Sequence, residues 1–406
     1  MDPCYQSLDP FRREIRLIEL LEPFESGEPR LRLTTVSLFD RPAYAALSYV
    51  WGDSAVTEQV TLNGEPRQVT LNVAAALKKV KERWEAHRQG KDFCYGPEGF
   101  RLWVDALCIN QNDVSERNHQ VQMMSEIYSS AFTVLAWVSS EDAGTATVFE
   151  VLEALNHVVT VDCGGSFDFL ASWAWKKDRP IFEHITNKKG RDAHSLRFEL
   201  ATFFQAFFKL QYWRRVWIMQ EIFLARDLIC ICPSASIHRS SLSTGLICLK
   251  RLSEQFPLIE RLPTSEFSEF HSFLKFLRFF SFNVGFNKLI SKLSIQAAES
   301  DRTANDKAEI CKRIELSVLG FRHEASDPRD HVYGLLALTG LEITPDYTKS
   351  VTEVFSDYAR AIVEETKCLG YKLVFLDSMP NGLDGYQSQL PSWLPGTREY
   401  RSRSPQ

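Results

Sequence analysis

Glu221 is the carboxylate whose sequence surroundings most strongly indicate chemistry. It follows Trp213 and Trp217 at intervals of four residues, and about 100° of helical rotation per residue places all three on one face of a helix. An acid among indoles predicts one of two arrangements. The first is a structural ion pair with Arg214 or Arg215. The second is an acid held beside a ligand, where it stabilises the cation that develops as a glycosidic bond breaks.

Asp105 is the second candidate, because it interrupts the apolar stretch 100–109, which predicts a buried parallel strand. A buried acid is costly unless it is paired. Two interpretations are open: a structural network with Arg117 or backbone donors, or direct contact with a ligand. In the helix that follows, Asp113 and Glu116 have the spacing of a capping box, which favours a structural role for Glu116.

Alternating strands and helices must position these side chains. Strands are predicted at 44–51, 100–109, 133–138 and 228–232, and helices at 72–87 with Asn72 as the cap, 114–131 and 213–224. Such alternation is typical of a parallel sheet, in which ligands bind beyond the carboxyl ends of the strands. That rule indicates Trp51, Gly52 and Asp53 after one strand, and Asn110 and Gln111 after the next.

The rest of the chain frames this α/β region. Hairpins are predicted for 14–20 with 31–37 and at Asn63–Gly64, and a helical insertion for about 139–205. From 236 onward the pattern is helical, with a Phe-rich segment at 267–286, a helix start at Asp327 for a helix at 331–338, and an amphipathic helix at 347–365. The predicted domains are therefore 1–235 and 236–406.

The composition limits the classes of function. A net charge of -5 and a pI near 6.0 disfavour nucleic acid as the main ligand. The nine scattered cysteines predict reduced thiols in a cytosolic or nuclear compartment, and no metal site is predicted. Neither a signal peptide nor a membrane span is predicted. The sequence has no Gly-rich phosphate loop and no Gly-x-Ser-x-Gly motif, and His119 and His331 are isolated. The candidate chemistry therefore narrows to a carboxylate in an aromatic pocket.

Three blocks of the sequence together resemble the fungal heterokaryon incompatibility (HET) domain family. They are Tyr44–Asp53, Leu102–Gln111 with Ser115–Val121 and Ile127–Tyr128, and Trp213–Glu221 with Leu224–Ala225. Three later segments, Asp327–Leu336, Pro345–Tyr347 and Leu390–Trp393, resemble stretches that follow the domain in many such proteins. Members often continue the last segment with Pro-Asp-Trp, whereas this chain has Pro-Gly-Thr at 395–397.

The resemblance implies a cytoplasmic fungal protein of non-self recognition and regulated cell death. HET domains are in turn remotely similar to TIR domains, which have a flavodoxin-like α/β fold and whose enzymatic members hydrolyse NAD. The segment 46–51 is similar to the first TIR strand. Trp217 and Glu221 are similar to the tryptophan and the catalytic glutamate of the third TIR helix.

The resemblance, taken with the positions at the strand ends and with two arginines that could bind phosphates, gives expected roles to individual residues. Glu221 is expected to be catalytic, with NAD as the substrate and no separate cofactor. The residues expected to contact the nucleotide or shape its cleft are Tyr49, Trp51, Gly52, Asp53, Asp105, Asn110, Gln111, Arg117, Arg215 and Trp217. The alternative is a non-catalytic signalling module that binds further copies of itself or a partner incompatibility or immune-receptor protein, with Glu221 in a structural salt bridge. A third hypothesis is an inactive or regulatory paralogue.

Overall fold

The computed structural model describes residues 4–21, 28–87, 99–140, 143–162, 164–165, 203–204, 206–255, 320–321 and 323–366. These residues form two compact units, each discontinuous in sequence. Unit 1 draws on Met1–Cys108, Ser130–Trp213 and Ala225–Gly285, and unit 2 on Ile109–Ser129, Arg214–Leu224 and Phe286–Gln406.

The described strands all belong to unit 1. They are β1 (Glu14–Leu21), β2 (Arg30–Ser37), β3 (Ala45–Tyr49), β4 (Thr57–Leu62), β5 (Glu65–Thr70), β6 (Arg101–Trp103), β7 (Thr133–Trp137), β8 (Leu228–Ile231) and β9 (Ser236–His238). The described α-helices are α1 (Leu71–His87), α2 (Asp105–Cys108), α3 (Val114–Ser130), α4 (Ala143–His157), α5 (Ile218–Phe223), α6 (Arg239–Gln255), α7 (Asp330–Tyr333), α8 (Leu336–Thr339) and α9 (Val351–Thr366).

The strands of unit 1 form one mixed sheet in the order β5-β4-β2-β1-β6-β3-β7-β8-β9. Its four consecutive strands β6, β3, β7 and β8 run parallel to one another. Every residue of β3 and β7 is buried, as the continuous apolar pattern of these segments predicts for strands covered on both faces. Antiparallel strands flank this parallel centre on both sides. The predicted α/β class is confirmed.

Both predicted hairpins are confirmed. β1 pairs with β2 along its full length, and β4 pairs with β5 across a turn at Asn63 and Gly64. These two residues have φ angles of 53° and 88°. Such left-handed angles at both central positions define the tight turn that Asn-Gly favours between antiparallel strands.

Two predictions about elements of unit 1 are wrong. β6 ends at Trp103, and Asp105 begins α2 instead of lying inside a strand. The carboxylate accepts the N–H of Ala106 at 2.7 Å, which stabilises this short helix in place of further strand pairing. Asn72 is not the cap of α1, which begins at Leu71. Its side chain instead makes tertiary hydrogen bonds, described below.

Helices α4 and α6 pack closely against each other in unit 1. A Cβ atom added to Gly245 would lie 2.6 Å from the carbonyl oxygen of Leu152. Because real Cβ contacts are almost never shorter than 3.0 Å, the absence of a side chain at Gly245 permits this approach.

Unit 2 has an aromatic core of its own. Its buried members are Phe321, Val332, Tyr333, Leu341, Val354, Phe355, Tyr358 and Ile362, and Trp217 packs against them. The helix predicted at 331–338 is in fact two short helices, α7 and α8, separated at 334–335. Close packing explains why the intervening position is glycine: a Cβ at Gly334 would lie 2.8 Å from the Asp330 carbonyl oxygen.

Some predictions fall outside the described residues. They include most of the helical insertion at 139–205, of which α4 is described, and the Phe-rich segment 267–286. The domain boundary at residue 235 stays a prediction. Within the described ranges, no helix combines the length and apolarity needed to cross a membrane.

Candidate functional site

The parallel strands of unit 1 bring a group of predicted residues to one edge of the sheet. β3 lies between β6 and β7 in the sheet. After β3 the chain forms β6 on one side of it and then β7 on the other side, so the direction of strand addition reverses at β3. In open α/β sheets, ligands bind beyond the carboxyl ends of the strands at such a switch of direction. Tyr49 ends β3, Trp51 follows it, and Asp105 follows β6, so the rule indicates these three residues.

Asp105 joins the residues at this edge. One of its carboxylate oxygens accepts a 2.6 Å hydrogen bond from the Tyr49 hydroxyl. The other accepts a 2.9 Å hydrogen bond from the indole N–H of Trp51, a residue that is 43% exposed. The structure therefore brings Tyr49, Trp51 and Asp105 together. Of the partners considered for a structural network, a backbone donor is present, the N–H of Ala106, and the two aromatic side chains are partners that were not predicted. Contact of Asp105 with a ligand stays a prediction.

The backbone around Trp51 is fixed by residues that sequence reasoning missed. Asn72 donates a 2.5 Å hydrogen bond to the Val50 carbonyl and accepts one of 2.9 Å from the indole of Trp137. Asn72 thus ties the segment before Trp51 to the end of β7. The only signal in the sequence was an asparagine at a helix start, which also fits a cap.

Gly52 and Asp53 shape the turn after Trp51. Gly52 has a φ angle of 78°, in the left-handed region that favours glycine. The carboxylate of Asp53 accepts a 2.8 Å hydrogen bond from the N–H of Ala55, which stabilises the turn, and the residue is exposed. Contact of either residue with a nucleotide stays a prediction.

In unit 2, the predicted continuous helix from Trp213 to Leu224 is wrong. A 3-10 helix ends at Arg214, and α5 begins only at Ile218. Between them, Arg215 pairs with Glu324 as a parallel β-bridge, and the N–H of Val216 donates to the Glu324 carbonyl at 2.9 Å. This tertiary pairing prevents helical hydrogen bonding at Arg215, so the predicted aromatic stripe is interrupted.

The helical turn from Trp217 to Glu221 is present, although the helix is interrupted before it. The N–H of Glu221 donates to the Trp217 carbonyl at 3.2 Å, as in an α-helix. The side chain of Glu221 is 2% exposed, and a carboxylate oxygen lies 3.5 Å from a guanidinium nitrogen of Arg215. Glu221 is thus a buried acid whose charge is compensated by Arg215, which matches the structural ion pair considered for it.

A second carboxylate of unit 2, Asp330, adjoins Trp217. Asp330 accepts a 2.6 Å hydrogen bond from the Tyr347 hydroxyl and a further hydrogen bond from the Trp217 side chain. Burial raises the pKa of Asp330 to about 6, although both hydrogen bonds oppose the rise. The sequence predicted a helix start around Asp330 and an amphipathic helix from Tyr347, but neither pattern linked these residues to Trp217.

Arg117 takes part in the same network. Its guanidinium carbon lies 4.7 Å from the centre of the Tyr347 ring, and that of Arg329 lies 5.2 Å from it. Arg329 also binds Asp327 through its side chain and donates to two carbonyls at 2.7 Å. Burial would raise the pKa of Asp327, but the hydrogen bonds and charge of Arg329 give a net lowering. Arg117 therefore contacts an aromatic ring, and its predicted contact with phosphate stays a prediction.

The start of α3 holds the remaining predicted residues. Asp113 caps the helix by accepting the N–H groups of Ser115 and Glu116. Glu116 accepts the N–H of Asn110 at 2.7 Å, so it bonds farther back than a capping box predicts, while the Asp113 N–H donates to the Asn110 carbonyl. The structural role of Glu116 is confirmed. Asn110 and Gln111 are half-buried, and their contact with a nucleotide stays a prediction.

The predicted residues thus divide between the units. Tyr49, Trp51, Gly52, Asp53 and Asp105 belong to unit 1, and Asn110, Gln111, Arg117, Arg215, Trp217 and Glu221 belong to unit 2.

Comparison with known families shows what the segment that contains these residues is similar to. Residues 44–221 match the family model described as heterokaryon incompatibility protein (HET). Over these residues the chain is similar to the HET family. The matched segment begins at the residue before β3 and ends at Glu221, so it contains every predicted site residue.

The chain is also similar to a curated protein. The chain is 26% identical over 383 residues to heterokaryon incompatibility protein 6, OR allele, of Neurospora crassa. The alignment covers 89% of this chain and 54% of the relative, so the chain spans about half the length of that protein. No solved structure matches the chain significantly.

Proposed function

We propose that the chain is a cytoplasmic heterokaryon incompatibility protein whose HET domain hydrolyses the bond between nicotinamide and ribose in NAD, with Glu221 as the catalytic carboxylate. The observation that carries the proposal is the HET match over residues 44–221, which includes the Trp217 and Glu221 pair. The name of the Neurospora relative supports the incompatibility role.

In this proposal Glu221 acts electrostatically, by stabilising positive charge on the ribose. When the glycosidic bond breaks, its electron pair goes to the pyridinium nitrogen, nicotinamide leaves as a neutral molecule, and positive charge develops on the ribose. A carboxylate beside the ribose stabilises that charge. Water then adds to the anomeric carbon and releases a proton, which gives ADP-ribose.

The order of the parallel strands supports the TIR-like part of the proposal. Counted along the chain, β3, β6, β7 and β8 are the first to fourth parallel strands of the centre, and their order in the sheet is second, first, third, fourth. Flavodoxin-like sheets, which TIR domains share, begin with the same order. The flanking hairpin strands are additions to such a centre.

Ligand access is the main requirement that the proposal places on the molecule. Glu221 is 2% exposed and paired with Arg215, so the ribose can reach its carboxylate only if part of the surrounding structure moves. Arg215 is well suited to this change, because a guanidinium released from Glu221 can bind a phosphate group through two N–H donors.

The same burial favours a second candidate function, a non-catalytic signalling module. A buried, ion-paired acid stabilises a unit without contacting a ligand. In this candidate the HET domain acts by binding further copies of the chain or a partner incompatibility protein, and NAD has no part.

Expression in a fungal host separates the two candidates. The variants are Glu221→Gln and the double replacement Arg215→Met with Glu221→Leu, compared at equal protein abundance. If the domain is catalytic, both variants lose the ability to kill the host. If Glu221 is purely structural, the double variant keeps that ability, because an apolar pair replaces the ion pair without leaving a buried charge. Full killing by both variants overturns the catalytic proposal.

A further inference from the structure

The side chain of Trp51 is hydrogen-bonded at its N–H edge, and the residue is partly exposed. Its indole N–H is bound by Asp105 at 2.9 Å, yet the residue is 43% exposed. Asp105 is itself held by the Tyr49 hydroxyl and by the N–H of Ala106. This hydrogen bond restrains the orientation of a partly exposed indole.

The backbone that carries Trp51 is fixed as well. The preceding carbonyl, of Val50, accepts a hydrogen bond from Asn72, and Asn72 is anchored by the indole of Trp137. The following residue, Gly52, turns the chain through a left-handed conformation. An aromatic side chain held in place before binding loses little conformational entropy when a ligand arrives.

The charge next to this indole favours a cationic ligand. An aromatic face attracts cations through its negative electrostatic potential. Here the N–H edge of the indole is bound to the carboxylate of Asp105. The negative charge of that carboxylate strengthens the attraction for a positive charge above the ring.

Phe39 is another exposed aromatic residue of unit 1, and its ring contacts a cation of the chain itself. It is 64% exposed, and the guanidinium carbon of Arg13 lies 5.8 Å from its ring centre. A cation of the chain itself thus already lies near that ring. Phe39 therefore serves as a matched control for the effect of removing an exposed aromatic side chain.

We propose that the indole of Trp51, oriented by Asp105, is a stacking site for a planar, positively charged ring, with Asp105 as its positioning residue. The choice of the pyridinium ring of NAD as the natural ligand rests on the proposed function. The site itself rests on unit 1 alone, because Tyr49, Trp51, Asn72 and Asp105 all belong to it.

The test is calorimetric titration of the full chain with three small probes. N-methylnicotinamide carries the cationic ring and has no glycosidic bond to cleave. Nicotinamide has the same ring without the charge, and ADP-ribose supplies an adenine ring without the pyridinium. The wild-type chain is expected to bind the cation more tightly than nicotinamide.

Substitutions at Trp51 and Asp105 test the contributions of the indole ring and of the carboxylate charge separately. Trp51→Ala should weaken binding of the cation by about 10-fold, and Trp51→Phe by less, whereas Phe39→Ala should have no effect. Asp105→Asn keeps an oxygen that accepts the indole N–H but removes the charge. It should weaken binding of the cation by about 3-fold while leaving nicotinamide unchanged. A purely structural role for Asp105 would not alter this preference for the cation.

Three results would overturn the inference. They are failure of the wild-type chain to bind N-methylnicotinamide, equal affinity of the Trp51→Ala variant, or an effect of Trp51→Ala confined to ADP-ribose, which would assign the indole to adenine. The inference and the proposed function fail separately. Binding of the cation without hydrolysis of NAD would support the stacking site and contradict the catalytic role. Hydrolysis of NAD at a rate that does not depend on Trp51 would support the catalytic role and contradict the stacking site.

Discussion

The guanidinium of Arg215 lies 3.5 Å from the carboxylate of Glu221, and only 2% of the Glu221 side chain is exposed. The two residues are six positions apart, and Arg215 is itself the residue whose β-bridge to Glu324 interrupts the helical path before Glu221. That bridge fixes the backbone of Arg215, so the pair depends on tertiary structure as well as on spacing in the sequence.

Removal of Arg215 is expected to destabilise the fold more than removal of both partners. Arg215→Ala leaves a buried carboxylate without the guanidinium of Arg215 and should lower the free energy of unfolding by about 3 kcal/mol. The double replacement Arg215→Met with Glu221→Leu should stay within about 1 kcal/mol of the wild-type chain. Denaturant unfolding measures both values. Additive losses in the double variant would show that the pair is not a coupled unit.

Asp330 is expected to make stability depend on pH between about 4 and 6. Burial raises its pKa from 3.8 to about 6 in the folded chain, so the folded state binds the proton more tightly than the unfolded state does. This contribution is fully present below pH 4 and is lost as the pH rises through 6. Its size is at most about 3 kcal/mol.

Comparison with Asp330→Asn isolates this contribution. His331 opposes it, because burial lowers the pKa of that imidazole, and the pKa of Asp327 is also lowered, which moves its contribution below pH 4. His331 remains in the variant, so its effect cancels in the difference, and the titration of Asp327 lies below the pH range that is compared. Unfolding curves from pH 4 to pH 6.5 should show the advantage of the wild-type chain over the variant shrinking as pH rises. A constant difference would refute the raised pKa.

Gly245→Ala is expected to destabilise unit 1. The new methyl group would lie 2.6 Å from the carbonyl oxygen of Leu152, and both partners are constrained by packed helices. The expected loss is about 2 kcal/mol, although alanine is the better helix former. Thr244→Ala is the matched control at the neighbouring, half-buried position, and it should change stability by less than about 1 kcal/mol. Equal thermal stability of both variants would contradict the close packing of α4 against α6.

The sequence predicted the elements whose patterns are local. The Asn63–Gly64 turn, the buried strands β3 and β7, and α3 with its Asp113 cap follow from turn chemistry, apolar runs and capping. The predictions that fail depend on distant partners. Asn72 bonds Val50 and Trp137 instead of capping its helix, and no pattern near Asn72 encodes these contacts.

For the candidate site, the sequence indicated which residues matter better than it indicated how they are arranged in space. Spacing identified Glu221 as an acid near indoles, but the helix that spacing implied is broken by a bridge to Glu324, more than 100 positions away. For Asp105 the sequence predicted Arg117 or backbone donors as structural partners, whereas both carboxylate oxygens bind aromatic side chains that end or follow β3, with one backbone donor in addition. The link from Asp330 to Trp217 required folded geometry, since the two residues share no local pattern.

The most direct test is release of nicotinamide from NAD by the purified full chain, with Glu221→Gln as the variant and Glu353→Gln as a control at an exposed carboxylate outside residues 44–221. The wild-type chain and the control should release nicotinamide with multiple turnovers, and Glu221→Gln should be slower by at least about 100-fold. Intact NAD after prolonged incubation with concentrated wild-type protein, or equal rates for wild type and Glu221→Gln, would contradict the catalytic role of Glu221.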